Sequence, residues 1–372
     1  MNKFLLILLI GLCANSAMAS KARLAALGLT SNLTGLNYTN DGTLILKDNR
    51  NIFLNPAQVT QLNNGFNFEM GNSDAFTTAP NAEGGIIYDL SNGKLGFQLG
   101  RRSEITNAMV VPTLAGASTL LPPKDSFDIV WGQSTTKGQG WGAGLHYADL
   151  KNDPTGAGDK KASELLLSGG LVQDKAEYFG QVGLMATAED TVAGSLEKFE
   201  GKGYFKFGGA WALDNVAKIT GTVFKNAYDY TAVGGGKTEI GTLTFDVRYT
   251  RINKPKADLM FLYGGGFTNV TGDSTTGGVK TDITVQQIPL YLALESAANS
   301  WMDLRASITQ AILLNTYKVG TEKQHDPNTT TVGAGATLKF TNFTIDTTLQ
   351  AATTGVINGN SMFANASLLY NF

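Results

Sequence analysis

From about residue 64 the chain is a succession of short segments with an apolar or aromatic residue at every second position, separated by polar breaks that are alternately short and long. Leu243, Phe245, Val247 and Tyr249 are interleaved by Thr244, Asp246 and Arg248, and Leu304, Ala306 and Ile308 by Arg305, Ser307 and Thr309. Leu95, Phe97 and Leu99, Phe127, Ile129 and Trp131, and Leu259, Phe261 and Tyr263 repeat the pattern, as do Val332 to Phe340 and Phe343 to Ala351. A period of two is that of a β-strand with one greasy face. Short breaks fall at 90–93, 135–139, 172–175, 214–215, 253–256, 297–300 and 341–342. Longer ones fall between them, at 72–81, 102–125, 151–161, 188–195, 229–237, 270–280, 317–328 and 354–360. A soluble sandwich also alternates, but it keeps its large residues on faces buried between two sheets. Turns on one side and loops on the other, with an even strand number, predict an all-β fold, a transmembrane antiparallel β-barrel. Sixteen strands over residues 64–372 satisfy the count, with 14 and 18 left open.

Composition agrees with that class. Glycine, at 44 of 372 residues, is well above the usual share of about 7%, and only 16% of residues are charged. After the first dozen residues no apolar run is long enough for a spanning helix, so insertion into a bilayer must use strands. Residues 1–19 have the form of a secretory signal peptide: Lys3, an apolar run from Phe4 to Leu12, then Ala17-Met18-Ala19 before Ser20. Cys13 lies inside that segment, so the expected mature chain has no disulfide and no thiol nucleophile. Removing Lys3 from the 29 basic residues, against 31 acidic ones, leaves a net charge near −3 and no footprint for nucleic acid.

The C-terminal alternation of Met362, Ala364, Ala366, Leu368, Tyr370 and Phe372 resembles the closing strand of Gram-negative outer-membrane β-barrel proteins. In those, a strand ending in Phe is the assembly signal, which the resemblance assigns here to Leu368, Tyr370 and Phe372. It implies outer-membrane lipid and lipopolysaccharide, and the barrel assembly machinery, as partners. The chain is similar also to general porins, which implies passive diffusion of small hydrophilic solutes and ions, and a homotrimer. The candidate pore-lining charges on the faces opposite the greasy series are Lys94, Asp128, Glu200, Lys202, Lys206, Asp246, Arg248, Asp303, Arg305, Lys339 and Asp346. Six are basic and five acidic, which predicts weak ion selectivity. A solvated wall position is the bland alternative for each. Gly142, Gly144, Gly201, Gly203, Gly208, Gly209, Gly264, Gly265, Gly333 and Gly335 either thin the wall where another segment packs close or relieve sheet curvature.

Two segments are candidates to fold into the barrel. Residues 103–125 are apolar for an external loop, with Pro112, Pro122 and Pro123. They correspond to the inward-folded loop of general porins, or else pack on a neighbouring subunit or on other loops. Residues 20–63 form a periplasmic or plugging segment. Arg23 to Gly28, followed by Phe53-Leu54-Asn55-Pro56-Ala57, resembles the N-terminus of long-chain fatty-acid transporter-like barrels, where a hatch plugs the lumen. The match departs at Gln58, where those proteins carry Gly, and a capped turn before the first strand is the plainer reading. The leading functional expectation is therefore a porin. The alternatives are a hatch-gated carrier for hydrophobic molecules, and a structural or adhesive barrel with a closed lumen.

No enzyme reading, catalytic residue, cofactor or metal is expected. His146 falls in a strand and His325 in a loop, neither with a nucleophile fixed beside it. Gly234-Gly235-Gly236-Lys237-Thr238 lacks the glycine a phosphate-binding loop needs at Thr231, and reads as a loop tip. Asp153, Asp159, Asp273 and Asp326 have no metal-ligand spacing.

Overall fold

The computed structural model of the chain describes residues 20–29, 32–33, 36–37, 42–71, 81–106, 118–136, 138–153, 158–191, 196–313, 317–319, 322–324, 329–352 and 365–371. Residues 1–19, expected as a signal peptide, and His325, Asp326, Met362, Ala364 and Phe372 lie outside them, as do breaks 72–80 and 354–360. No helix among the described residues is long and apolar enough to cross a membrane. The strands close instead into a 16-stranded antiparallel barrel. Its strands are β1 (Gly65–Gly71), β2 (Asn81–Leu90), β3 (Gly93–Leu99), β4 (Asp125–Thr136), β5 (Gln139–Asn152), β6 (Lys160–Val172), β7 (Ala176–Asp190) and β8 (Glu197–Ala212). They continue as β9 (Ala217–Thr231), β10 (Lys237–Lys256), β11 (Leu259–Thr276), β12 (Val279–Asn299), β13 (Met302–Leu313), β14 (Thr329–Lys339), β15 (Phe343–Ala352) and β16 (Asn365–Asn371). Pairing of β16 with β1, from Asn365↔Gly71 to Asn371↔Gly65, closes the ring and leaves no sheet edge.

The face assignment follows the alternation. On β10 Leu243, Phe245 and Tyr249 are exposed while Thr244 and Thr250 are buried. On β13 Leu304 and Ile308 point outward and Asp303, Arg305 and Ser307 inward. Outward aromatics gather near the turn end, among them Tyr88, Trp141, Tyr178, Trp211, Tyr249, Tyr263, Trp301 and Phe340. This is the girdle an amphipathic ring forms at a membrane interface. Trp211 Nε1 donates to Tyr178 Oη at 3.0 Å, and Phe66 stacks on Tyr370 at 4.8 Å across the closing pair.

Three expected breaks are corrected. β10 runs through 253–256 and turns at 257–258, and β12 runs through to Asn299 and turns at 300–301. The 270–280 break is no loop: β11 and β12 pair as far as Thr276↔Val279 around Gly277 (φ +57°) and Gly278 (φ +81°). β10, β11 and β12 are 20, 18 and 21 residues long, about twice what crosses a bilayer. Their outer halves, rich in Thr, stand in water, where pairing needs no greasy face and the alternation signal fades. The 317–328 loop contains a small hairpin, Tyr317–Val319 with Glu322–Gln324, that adds to β12 at Ile283↔Val319.

Candidate functional site

The lumen is occupied by the chain's own N-terminal segment. Helix α1 (Lys21–Ala26) and two 3₁₀ helices, Asn49–Phe53 and Pro56–Gln61, lie against the inner wall and are almost wholly buried. Each is locally capped: Ser20 Oγ accepts from Arg23 N (3.1 Å), Asp48 Oδ1 from Arg50 N (2.7 Å) and Asn55 Oδ1 from Ala57 N (3.2 Å), with Pro56 at the first helical position. Asn55-Pro56-Ala57 is thus both a capped turn and part of the plug.

Two kinds of contact hold the plug. Leu24, Leu27, Ile45 and Leu46 pack on inward Met260, Leu262, Tyr291 and Ala293. Ile52, Phe53, Val59 and Leu62 pack on Ile87, Val130 and Leu369. Between these patches are ion pairs. Lys21 Nζ meets Glu83 at 3.1 Å, and Arg23 grips Glu295 with two hydrogen bonds of 2.7 and 2.8 Å. Arg50, 1% exposed, pairs with Glu69 and, at 3.0 Å, with Glu83. Ser20 Oγ donates to Asp346 Oδ2 at 2.9 Å. Burial alone lowers the pKa values of the Arg23 and Arg50 guanidinium groups, but their wall carboxylates outweigh it and raise them. Asp48 is different: burial pushes its carboxyl up to about 7, and its Oδ2 has no hydrogen-bond partner among the described residues.

Wall glycines make the close fit. A Cβ on Gly142 would stand 2.5 Å from the Ala57 nitrogen, one on Gly335 2.6 Å from the Ala26 Cβ, and one on Gly170 would collide with Asn55 Oδ1. Of the two roles open to Gly142 and Gly335, close approach of a packed segment is the one observed.

The 103–125 segment also enters the lumen at its described ends, while 107–117 lie outside the described residues. Arg101 forks onto Asp128 of β4, which also bonds His146 Nδ1 at 2.9 Å. Ser103 donates to Glu164 of β6, as does Thr106 Oγ1 at 2.6 Å. Glu104 receives Lys206 Nζ at 2.6 Å and Tyr204 Oη at 3.1 Å. Thr119 is held by Glu197 at 2.8 Å. The two inserted segments touch where the Arg101 guanidinium lies 4.5 Å from the centre of the Phe53 ring.

Most of the candidate charges are paired rather than free in the lumen. Lys94 donates to the Leu62 carbonyl and pairs with Asp89; Asp246 pairs with Arg248, Lys339 with Asp303, and Arg305 with Glu295 and Asp346. Glu200 and Lys202 are corrected outright. Glu197 and Phe199 point inward, which puts Glu200 on the outer face, and a bulge at Lys202 switches the alternation so that Tyr204 and Lys206 point inward again. Lys202 pairs with Glu200 and Asp229 on the outer side. Sequence reading missed Glu69, Glu83, Glu164, Glu197 and Glu295, the carboxylates that receive the plug and loop.

The bulge has a counterpart across the ladder. On β7, Met185 pairs with Leu165 and Gly183 with Leu166, so Leu184 is extra and 57% exposed. Between β7 and β8 pairing jumps from Thr187↔Glu200 to Gly183↔Tyr204, leaving 184–186 and 201–203 without partners across the gap. A cavity of about 160 Å³ occupies this gap, lined by Leu184, Met185, Gly201, Gly203, Ile105 and Tyr204 among others. Nothing lies within 4 Å of the place a Gly203 Cβ would take. Behind it the inner wall is apolar, with Leu166, Phe199, Phe224 and Tyr228 packed around Ile105 and Leu120. From Ala176 to Met185, at roughly 3.3 Å per residue and roughly 40° of tilt, is about 23 Å, the outer part of an apolar band about 25 Å tall.

No family model matches the chain, and no curated protein matches its sequence. Among solved structures it is similar to a Pseudomonas aeruginosa FadL homologue, at 12% identity and TM-score 0.44, covering 92% of this chain and 98% of that one. A monoaromatic hydrocarbon channel, CymD, gives 12% identity and TM-score 0.41 over 94% and 97% of the two chains. The unliganded ferric citrate transporter FecA gives 10% identity and TM-score 0.46 over 77% of this chain and 51% of that one. At this distance the likenesses carry no functional argument, and the function is argued from the site.

Proposed function

We propose that the chain is an outer-membrane transport barrel in which a lumenal hatch blocks free diffusion and small apolar molecules exchange with the bilayer through the gap between β7 and β8. The observation that carries the proposal is the pairing of a filled lumen with a lapse in the β7–β8 ladder whose cavity backs onto apolar side chains of the inner wall. An open diffusion porin needs a wet, polar channel, and residues 20–29 and 42–62 occupy that space with leucine, isoleucine and buried ion pairs. Unpaired backbone groups in a lipid-facing wall cost several kcal/mol each unless the wall lines a cavity there. Two facing bulges at one level are therefore a built feature rather than a sheet defect.

The β7–β8 register is the same on both sides of the gap; deleting Leu184 and Lys202 together removes the bulge of β7 against β6 and that of β8 against β9, and shortens the unpaired stretch between them. Proteoliposomes carrying the native barrel should take up an apolar fluorophore such as N-phenyl-1-naphthylamine faster than empty vesicles, and the double deletion should fall to the empty-vesicle rate while remaining folded. Uptake unchanged by the deletion would refute the lateral route.

A further inference from the structure

At the turn end, between the plug and the inner faces of β7 to β10, lies an open chamber of about 740 Å³. It is separate from the β7–β8 gap. Its lining includes four lysines: Lys47 of the plug, Lys175 of the β6–β7 turn, Lys218 of β9 and Lys254 of β10. In the lumen above, Lys21, Arg23, Arg50, Arg101, Lys206 and Arg305 are each paired with a carboxylate. Among the described residues Lys47, Lys218 and Lys254 have no salt bridge within 4.0 Å, although the charge of Glu177 attracts Lys218 while that of Lys47 repels it.

Of the chamber's three acids, Asp174 stands exposed beside Lys175 in the β6–β7 turn, while Glu177 and Asp214 are hydrogen-bonded. Glu177 accepts from the plug amides of Asn55 (3.3 Å) and Gln58, and Asp214 Oδ1 accepts the Val216 and Ala217 N–H groups of its own turn at 2.7 Å each. Lys218 gives one proton to the Leu44 carbonyl at 2.7 Å, and an ammonium has two more to offer. Between the charges the walls are mixed, with Val172, Ala210, Ala212 and Ile252 beside Gln58, Gln61, Gln173 and Asn215. Three like charges held around one concavity are stable together when an anion sits among them.

We infer that this chamber is a binding site for a small organic anion, a carboxylate or sulfonate with an apolar body, held by Lys47, Lys218 and Lys254 at the turn-end mouth of the barrel. The inference does not depend on the β7–β8 route, because the lining residues of the two sites differ.

The test is equilibrium binding to the full mature barrel in non-ionic detergent, corrected with protein-free micelles, of 1-naphthoate beside 1-naphthylmethylammonium and 1-naphthylmethanol. These share a ring system and differ in charge. Naphthoate should bind and the ammonium should not. Lys47→Gln and Lys254→Gln, both at exposed positions, should each weaken naphthoate binding about fivefold, and Asp214→Asn, which keeps the turn's cap but removes a nearby acid, should tighten it. Deleting Leu184 and Lys202 should leave naphthoate binding unchanged while abolishing fluorophore uptake, which separates the two sites. The inference is overturned if naphthoate does not bind, if the neutral alcohol binds as well as naphthoate, or if the lysine variants bind like the native chain.

Discussion

Arg50 shows how the plug is held by single residues. Its guanidinium bridges Glu69 of β1 and Glu83 of β2 while lying 5.3 Å from the Phe53 ring centre, with all three charged groups buried. Removing one member of a buried ionic cluster strands the others, which costs about 3 to 5 kcal/mol. Arg50→Met should therefore unseat the plug without opening the barrel, visible as faster amide exchange over residues 42–62 with strand amides still protected. Asp48 makes the seat sensitive to pH. Its folded pKa, about 7 through burial, lies above the value of about 4 for an unfolded aspartate. Its contribution to stability is thus fully present below pH 4 and lost as pH rises through 7. Plug exchange should accelerate from pH 5 to 8, and Asp48→Asn should remove that part of the dependence. If the variant keeps the same profile, Asp48 is not the titrating group.

Among the elements, the plug and the wall that receives it are matched backbone to side chain. Gly142 on β5 lets the second 3₁₀ helix approach to atomic contact, and a valine there has no room. Gly142→Val should leave strand amides protected and raise protease cleavage within residues 42–62, whereas a plug merely lying in a wide lumen would be indifferent. The sequence carried part of this element in plain view. Strand existence and face came from the period of two because a lipid-facing strand must alternate, and the lipid-facing series were assigned to the observed side. What defeats the alternation on β8 is the bulge at Lys202, which exchanges inside for outside in one residue, so that a single period carried back from Lys206 puts Glu200 and Lys202 in the lumen. The inward apolar residues did leave a trace. Leu259-Met260-Phe261-Leu262-Tyr263 is greasy at consecutive positions, which a wet wall would not be, and Met260 and Leu262 are where the plug docks. The partner carboxylates could not be chosen from sequence, since nothing local distinguishes Glu69 from any other glutamate in a strand.

For the whole molecule, we propose that the segment from Ser20 to Leu62, whose described residues lie in the lumen, closes the barrel. The hatch was legible only as a short likeness around Phe53 to Ala57, because its docking depends on contacts hundreds of residues away, such as Arg23 with Glu295 and Ser20 with Asp346. Single-channel recording in a planar bilayer tests this most directly, with the chain of residues 20–372 compared with a form lacking residues 20–62. The native barrel should be silent and the truncated barrel should conduct in stable steps. Steady conductance of the native chain, equal to that of the truncated form, would contradict the account and return the protein to the open porins.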